Sequence, residues 1–169
     1  KGRVQGIKDI KVLGEVFEVE KKYEVAIEIA LGGAISNVIT VNDTDAKNLI
    51  SYLKNRGLGR ATFLPLNIIR GKKLEVPNDI KKAKGYIGIA SEILKYDIRY
   101  KGVIEYNLGR TIIAENMDCA LNISKIGRHN YKIVTLTGEV INPGGALTGG
   151  SIQGKNANLL GRKREIEEL

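Results

Sequence analysis

Apolar residues follow the same spacing in two distant parts of the chain. Between residues 23 and 31 they lie three and four positions apart, which predicts an amphipathic helix that Gly32 ends in a left-handed cap. Residues 100–108 keep most of this pattern, with Tyr, Ile, Glu, Leu and Gly recurring in register, and Gly109 follows. Similarity of this kind within one chain indicates an internal repeat.

The segments around the two helices repeat in the same order. Each copy opens with a short apolar segment and continues, after its helix, with a β-branched strand, a capped helix and a second strand. These lie at residues 12–16, 38–41, 43–53 and 60–64 in the first copy, and at 85–90, 111–114, 116–126 and 132–136 in the second. The predicted caps are Asp43 and Asn116. The sequence therefore predicts an α+β fold of two pseudo-repeated α/β subdomains with small sheets, at about 12–70 and 85–154.

The segment that joins the two copies differs in composition from both. Residues 65–84 hold two of the three prolines, several lysines and Gly71. Proline, glycine and charged residues in this density are typical of a surface connection. We therefore predict an exposed connection between the subdomains.

A glycine tract, residues 143–151, follows a strand-like run at 131–141. Gly144, Gly145, Gly149 and Gly150 lie within seven residues, although a single glycine would serve a turn. Glycine loses more backbone entropy on folding than any other residue, so such a density indicates close approach of another group to the backbone. That group could be a phosphate, a neighbouring segment or a second copy of the chain. We favour the second copy, since in a two-fold dimer the same patch serves both protomers.

Both ends of the chain have a helical spacing among polar residues. Val4 and Ile7 carry it in residues 1–11, and Leu159, Ile166 and Leu169 carry it in residues 155–169. The chain begins with Lys and ends within a polar run. These features predict two coiled-coil stubs that flank a compact domain at 12–154, within a longer protein.

Basic residues outnumber acidic ones, 27 to 19, giving a formal net charge of +8. Such an excess fits either a polyanion-binding surface or a soluble basic surface. The candidates for nucleic-acid contact lie in the connection and near the C-terminal end: Lys72, Lys73, Lys81, Lys82, Lys84, Arg162, Lys163 and Arg164. No aromatic series accompanies these residues, so no stacking platform for single strands is predicted.

The chain offers little for catalysis. It has one histidine, His129, in a polar turn, and one cysteine, Cys119, on an apolar helix face, so neither a zinc site nor a Cys/His nucleophile pair is predicted. No phosphate-binding P-loop motif occurs. We predict no cofactor, no metal and no catalytic residue in this fragment. The single cysteine favours a reducing, cytoplasmic compartment, and no membrane-span or signal-peptide pattern is present.

Three stretches, at residues 22–33, 59–66 and 133–150, together resemble the hinge domain of bacterial SMC proteins, the chromosome condensation and segregation ATPases. The resemblance covers about residues 12–161. It implies two related α/β subdomains and a homodimer in which strands of one protomer extend a sheet of the other, with Gly144, Gly145, Gly149 and Gly150 at the dimer interface.

The resemblance also implies partners and parts outside the fragment. The domain is expected to join the two arms of a long coiled coil, while ATP and Mg²⁺ bind in distant head domains, and kleisin and accessory subunits bind elsewhere. Hinges of this family resemble one another in binding DNA without sequence preference, which adds Lys155 near the coiled-coil junction to the candidates. A cytoplasmic, nucleoid-associated protein is implied.

The sequence therefore predicts a non-catalytic dimerisation module with secondary DNA affinity. Two alternatives stay open at this point. One is a small nucleotide-binding enzyme that uses the glycine tract as its ligand loop. The other is a purely structural dimerisation domain that does not bind DNA.

Overall fold

The computed structural model describes residues 10–151 and Leu160. Within them, ten strands and five α-helices follow one another, with short 3₁₀ turns between several of them. In chain order they are β1 (Lys11–Val12), β2 (Phe17–Val19), α1 (Glu24–Leu31), β3 (Val38–Thr40), α2 (Asp43–Asn55), β4 (Phe63–Pro65), α3 (Asn78–Lys81), β5 (Tyr86–Ile89), β6 (Leu94–Tyr96), α4 (Lys101–Leu108), β7 (Thr111–Ala114), α5 (Met117–Ile126), β8 (Lys132–Thr135), β9 (Val140–Ile141) and β10 (Leu147–Thr148).

The predicted duplication is confirmed by the sheet topology. The first subdomain has a sheet in the order β1-β3-β4, and the second has the same order in β5-β7-β8, extended by β9 and β10. β1 and β3 are antiparallel, as are β5 and β7. β3 and β4 are parallel, as are β7 and β8. The two subdomains therefore differ chiefly in the β9–β10 hairpin added to the edge of β8, while the corresponding edge of β4 has no added strand within residues 10–151.

A third sheet joins the subdomains. β2 of the first pairs antiparallel with β6 of the second, and Glu18 lies opposite Lys95. Helices α1 and α4 pack against each other in one shared core, with Ala26, Ile27, Val103 and Ile104 completely buried. Burial of each large aliphatic side chain stabilises the fold by about 1.5–3 kcal/mol. The apolar face predicted for each helix is thus the face that holds the two subdomains together.

The caps of the two corresponding helices are equivalent, which corrects one prediction. Asn116 caps α5 as predicted, its Oδ1 accepting from the Cys119 N–H at 2.9 Å. In α2 the cap is Asn42, whose Oδ1 accepts from the Asp45 N–H at 2.7 Å, and Asp43 is the first helical residue. The prediction of Asp43 was wrong by one residue because Asn and Asp are both strong caps and stand side by side.

The glycines that end α1 and α4 act differently. Gly32 has a φ of +55°, as predicted, but its ψ of −135° lies outside the left-handed helical region. Gly109 has a right-handed conformation, and a Cβ there would lie 2.5 Å from the carbonyl oxygen of Lys72. The second glycine is therefore required by close packing against the connection rather than by its φ.

Two strand predictions also need correction. The run at 131–141 is not one strand but a hairpin of β8 and β9, which turns at Gly138 with a φ of +94°. The strand predicted at 60–64 begins only at Phe63 and ends at Pro65. Apolar and β-branched residues lie on both sides of Gly138, so the hydrophobic pattern alone does not show where pairing stops.

The connection is not simply exposed, as we predicted it to be. It contains α3, and Val76 and Ile80 are buried in a second core cluster beneath β5, β7, β8 and β9. Gly71 lies directly against the backbone of α4 at Tyr106. The connection is therefore a packed part of the second subdomain.

No helix among residues 10–151 is long and apolar enough to cross a membrane. The terminal stubs predicted at 1–11 and 155–169 fall almost wholly outside the described residues, and the proposed domain boundaries stay predictions.

Candidate dimer interface and basic surface

The glycine tract surrounds β10, the outermost strand of the five-stranded sheet. Gly144, Gly145 and Gly150 have φ values of +96°, +106° and +129°, which side-chain-bearing residues rarely adopt. Gly149 has no positive φ, and a Cβ there would lie 3.2 Å from Cγ of Glu139. Three of the four glycines are therefore required by the protomer's own backbone.

Hydrogen bonds fix the shape of the tract. The Asn142 N–H donates to the Ala146 carbonyl at 2.8 Å, and the Gly145 N–H donates to the Asn142 carbonyl at 2.8 Å. Outside this hairpin, the Gly144 N–H donates to the His129 carbonyl at 2.6 Å. A side chain placed on Gly144 or Gly150 would meet no atom within 4 Å. The tract is thus well defined and faces open space on its outer side.

β10 presents an unpaired backbone edge within the described part of the chain. Asn142 and Ala146 form a hydrogen-bonded pair, so the alternation of an antiparallel ladder turns the N–H and C=O of Leu147 away from β9. The Leu147 side chain is 56% exposed. An apolar side chain on an open strand edge is a surface suited to pairing with another strand.

The second open edge belongs to β4, at the end of the three-stranded sheet. Thr62 and Leu66 bond to β3, so the alternation turns the backbones of Phe63 and Pro65 outward. Proline, which lacks an N–H, is tolerated on edge strands. Among residues 10–151, no strand pairs with this side of β4.

An apolar groove lies beside β4, and we call it the α2 groove. It has a volume of about 660 Å³ and runs between α2 and the sheet. Its apolar lining includes Val38, Leu49, Leu53, Leu58 and Phe63. Leu58 is 58% exposed, so the groove opens an apolar surface to solvent next to the open β4 edge.

The basic candidates in the connection are all exposed. Lys73 forms an ion pair with Glu92 at 2.7 Å, and this hydrogen bond raises the pKa of the Lys73 ammonium. Lys81, Lys82 and Lys84 lie at the end of α3 and just after it. Lys72 is exposed too, while Lys155, Arg162, Lys163 and Arg164 lie outside the described residues. Lys81, Lys82 and Lys84, which we call the α3 lysines, are thus exposed and form no ion pair with a carboxylate among the residues described.

The tract is not built as a phosphate-binding loop. Its glycines flank a strand, β10, whereas such a loop opens a helix whose N-terminus faces the anion. Within 10–151, no group of three or more His, Cys, Asp and Glu side chains is placed to hold a metal ion. Glu139, beside Gly149, accepts from the hydroxyls of Thr135 and Thr137, which lowers the pKa of its carboxyl.

The sequence predicts the glycine tract, but it does not predict the open strand edges of β10 and β4. The signal was present in the repeat, because the first copy has no counterpart of β9 and β10 after its last strand.

Comparison with known proteins agrees with this architecture. Residues 7–124 match the model of the SMC proteins flexible hinge domain. The chain belongs to the SMC hinge family. The chromosome partition protein Smc of Clostridium kluyveri is 52% identical over 93% of this chain. The chromosome partition protein Smc of Bacillus subtilis is 43% identical over 100% of this chain.

These relatives are much longer than this hinge domain, which spans 13% and 14% of their lengths. Among solved structures, an asymmetric dimer of the Geobacillus stearothermophilus SMC hinge domain matches 96% of the chain with a TM-score of 0.86 and 37% identity, covering 66% of that chain. The Pyrococcus furiosus SMC hinge domain matches 89% of it with a TM-score of 0.71 and 32% identity, covering 77% of that chain.

Proposed function

We propose that this domain is the homodimerisation hinge of an SMC chromosome partition protein. The observation that carries the proposal is the presence of two open strand edges flanked by apolar surface, β10 with its exposed Leu147 and β4 beside the α2 groove. The G. stearothermophilus hinge domain, a structural neighbour, forms a dimer. Two such protomers can close a two-fold ring, because β10 of each protomer meets β4 of its partner.

The pairing can be specified from the backbone. Leu147 and Phe63 both turn their N–H and C=O outward, so in our proposal they form the central hydrogen-bonded pair between protomers. We orient the strands antiparallel, because β9 lies antiparallel on the edge of β8 that corresponds to the open edge of β4. The five-stranded sheet of one protomer then continues into the three-stranded sheet of its partner, on both sides of the ring.

The side chains fit this arrangement. Opposite residues of an antiparallel pair point to the same face, so Leu147 lies on the face of β4 from which Phe63 lines the α2 groove. The groove is apolar and large enough for a leucine side chain. The open space around Gly144 and Gly150 then leaves room for the partner's backbone to approach. The glycines thereby serve both the local backbone and the close contact.

The remaining parts of the proposal concern the whole protein. We propose that the dimer joins two coiled-coil arms, that ATP and Mg²⁺ bind in head domains outside this chain, and that kleisin binds elsewhere. In this arrangement the hinge is non-catalytic and acts in the cytoplasm, associated with the nucleoid. The share of the curated relatives that the hinge spans, 13–14%, supports the presence of large parts beyond it.

Light scattering over a range of concentrations tests dimerisation. The proposal predicts a mass of twice the 18.5 kDa of one chain. A mass of one chain at all concentrations would contradict it. Alanine at Gly144, Gly145 or Gly150 is a poor test, since each of these substitutions strains the protomer itself.

We further propose that the α3 lysines bind DNA through phosphate contacts. Replacing Lys81, Lys82 and Lys84 together by Glu should weaken duplex binding and lower the slope of log affinity against log salt by about 2–3, since each phosphate contact contributes about 0.9. Fluorescence anisotropy with a short duplex at several salt concentrations measures both quantities.

A matched control makes the same change in net charge in the first subdomain. Lys21, Lys22 and Lys47 are exposed lysines of the first subdomain, and their replacement by Glu should alter the slope much less. Equal losses in both triple variants would show that only overall charge matters. No binding of the native domain at low salt would instead favour a structural dimeriser without DNA affinity.

A further inference from the structure

Two residues that carry side chains adopt left-handed backbone conformations beside the glycine tract. Arg128 has a φ of +57° and His129 a φ of +61°, and among the described residues they are the only non-glycine positions with positive φ. Such conformations cost about 1–3 kcal/mol each and persist only where the surroundings hold them. Their position next to the proposed dimer interface requires an explanation.

A buried serine holds this turn. Ser124, on α5, is 1% exposed, and its Oγ lies 3.0 Å from Nδ1 of His129. The Ser124 carbonyl also accepts the His129 N–H at 2.8 Å. The serine thus binds both the backbone and the imidazole of His129, and a glycine in place of His129 would keep the backbone conformation but lose the contact with the hydroxyl.

The turn presents a carbonyl to the glycine tract. The His129 C=O accepts the Gly144 N–H at 2.6 Å, which ties the tract to a residue outside its own hairpin. Gly145 also faces the imidazole, because a Cβ there would lie 4.0 Å from Nδ1 of His129. The location of the tract relative to α5 therefore depends on the conformation of this turn.

The internal repeat provides a comparison within one molecule. When α2 and α5 are aligned on their caps, Asn42 and Asn116, Ile50 occupies the place of Ser124. After α2 the positive φ is taken by a glycine, Gly57, at +60°. The serine–histidine pair is thus found only in the subdomain that carries the glycine tract.

We propose that Ser124 and His129 are positioning residues of the dimer interface. The hydrogen bond between their side chains holds the Arg128–His129 turn in its left-handed conformation, the turn fixes the Gly144 N–H, and β10 is thereby placed to pair with the partner's β4. This inference rests on the proposed dimer. It assigns a role in dimer affinity to Ser124 and His129, which lie outside the glycine tract.

Ser124→Ala is the variant that tests this role. It removes the hydroxyl while leaving the helix and the buried Cβ in place, and it should raise the dimer dissociation constant by at least about fivefold, because one hydrogen bond is lost in each protomer. In the monomeric Leu147→Asp background it should also speed hydrogen exchange of the Gly144 amide by a similar factor. Analytical ultracentrifugation and amide exchange by NMR measure the two effects.

Two controls separate this role from general destabilisation. Ser91→Ala changes another buried serine, 3% exposed, whose hydroxyl has no hydrogen-bond partner among the described residues, and it should leave both quantities unchanged. Arg128→Gly relieves backbone strain but keeps the serine–histidine pair, so the thermal midpoint should rise while the dissociation constant stays within about twofold.

The outcomes are distinguishable from failure of the dimer itself. Unchanged dissociation and unchanged Gly144 exchange in Ser124→Ala would overturn the inference while the wild-type dimer stands. Faster exchange with an unchanged dissociation constant would overturn it as well, since the turn would then have no bearing on the interface. A monomeric wild type would overturn the proposed function and is recognised from the mass alone.

Discussion

Leu147→Asp is expected to convert the dimer into a monomer without changing the stability of the protomer. In the proposed dimer Leu147 enters the partner's α2 groove twice, once on each side of the ring. Loss of two buried leucines and burial of two carboxylates should weaken dimerisation by more than about a thousandfold. In the protomer the side chain is 56% exposed, so the thermal midpoint of the isolated subunit should hardly move.

Ile98→Asp is the matched control for that variant. Ile98 is 76% exposed, the highest value among the large apolar side chains described, and it lies between β6 and α4, outside β4 and β10. Light scattering should find this variant dimeric and Leu147→Asp monomeric. If both variants stay dimeric, Leu147 is not at the interface. If both become monomers, the effect is not specific to β10.

Gly71→Ala should have the largest effect on the stability of the protomer. A Cβ at this position would collide with backbone atoms of Glu105 and Tyr106 in α4, which cannot rotate away as a side chain could. The connection or the helix would have to shift, and we expect a loss of about 3 kcal/mol in the free energy of unfolding. Chemical denaturation measures it, with the slope m showing whether the unfolding stays two-state.

Gly33→Ala is the appropriate comparison. Gly33 has no positive φ, and a Cβ there would meet no atom within 4 Å. Its replacement should change the unfolding free energy by no more than about 0.5 kcal/mol. Equal stability of the two variants would show that the connection does not pack against α4 as described.

The sequence predicted the fold where local pattern and long-range packing agree. The apolar faces of α1 and α4 have the spacing of amphipathic helices, and burial in the shared core requires the same residues. The repeat predicted the order of elements, which the equal topology of the two sheets confirms. The family was identified from motifs that the comparisons bear out.

The predictions were wrong where tertiary contacts, rather than local sequence pattern, determine the structure. Gly71, Lys72 and Lys73 have the composition of a surface loop, but the backbone of this segment packs closely on α4, a contact that has no periodicity to reveal it. The turn at Gly138 divides a run of strand-forming residues, and a period of two cannot distinguish one long strand from two paired ones.

The candidate site was predictable only in part, for a similar reason. Four clustered glycines are visible in the sequence, whereas an open edge on β4 exists only once the strand order is known. His129 was correctly placed in an exposed turn, but its bond to Ser124 depends on a left-handed backbone that residue type does not favour. The basic candidates at Lys155 and 162–164 stay predictions.

Disulfide cross-linking tests the central claim most directly. With Leu147 opposite the partner's Phe63, Thr148 lies opposite the partner's Thr62 in a non-hydrogen-bonded pair, with Cα atoms about 4.5 Å apart, within the range of a disulfide. Both threonines are exposed, and the native Cys119 is buried. Under mild oxidation, Thr62→Cys/Thr148→Cys should form a covalent dimer, and each single variant alone should not. A double variant that stays monomeric on a denaturing gel, or single variants that cross-link equally well, would contradict the proposed pairing of β10 with the partner's β4.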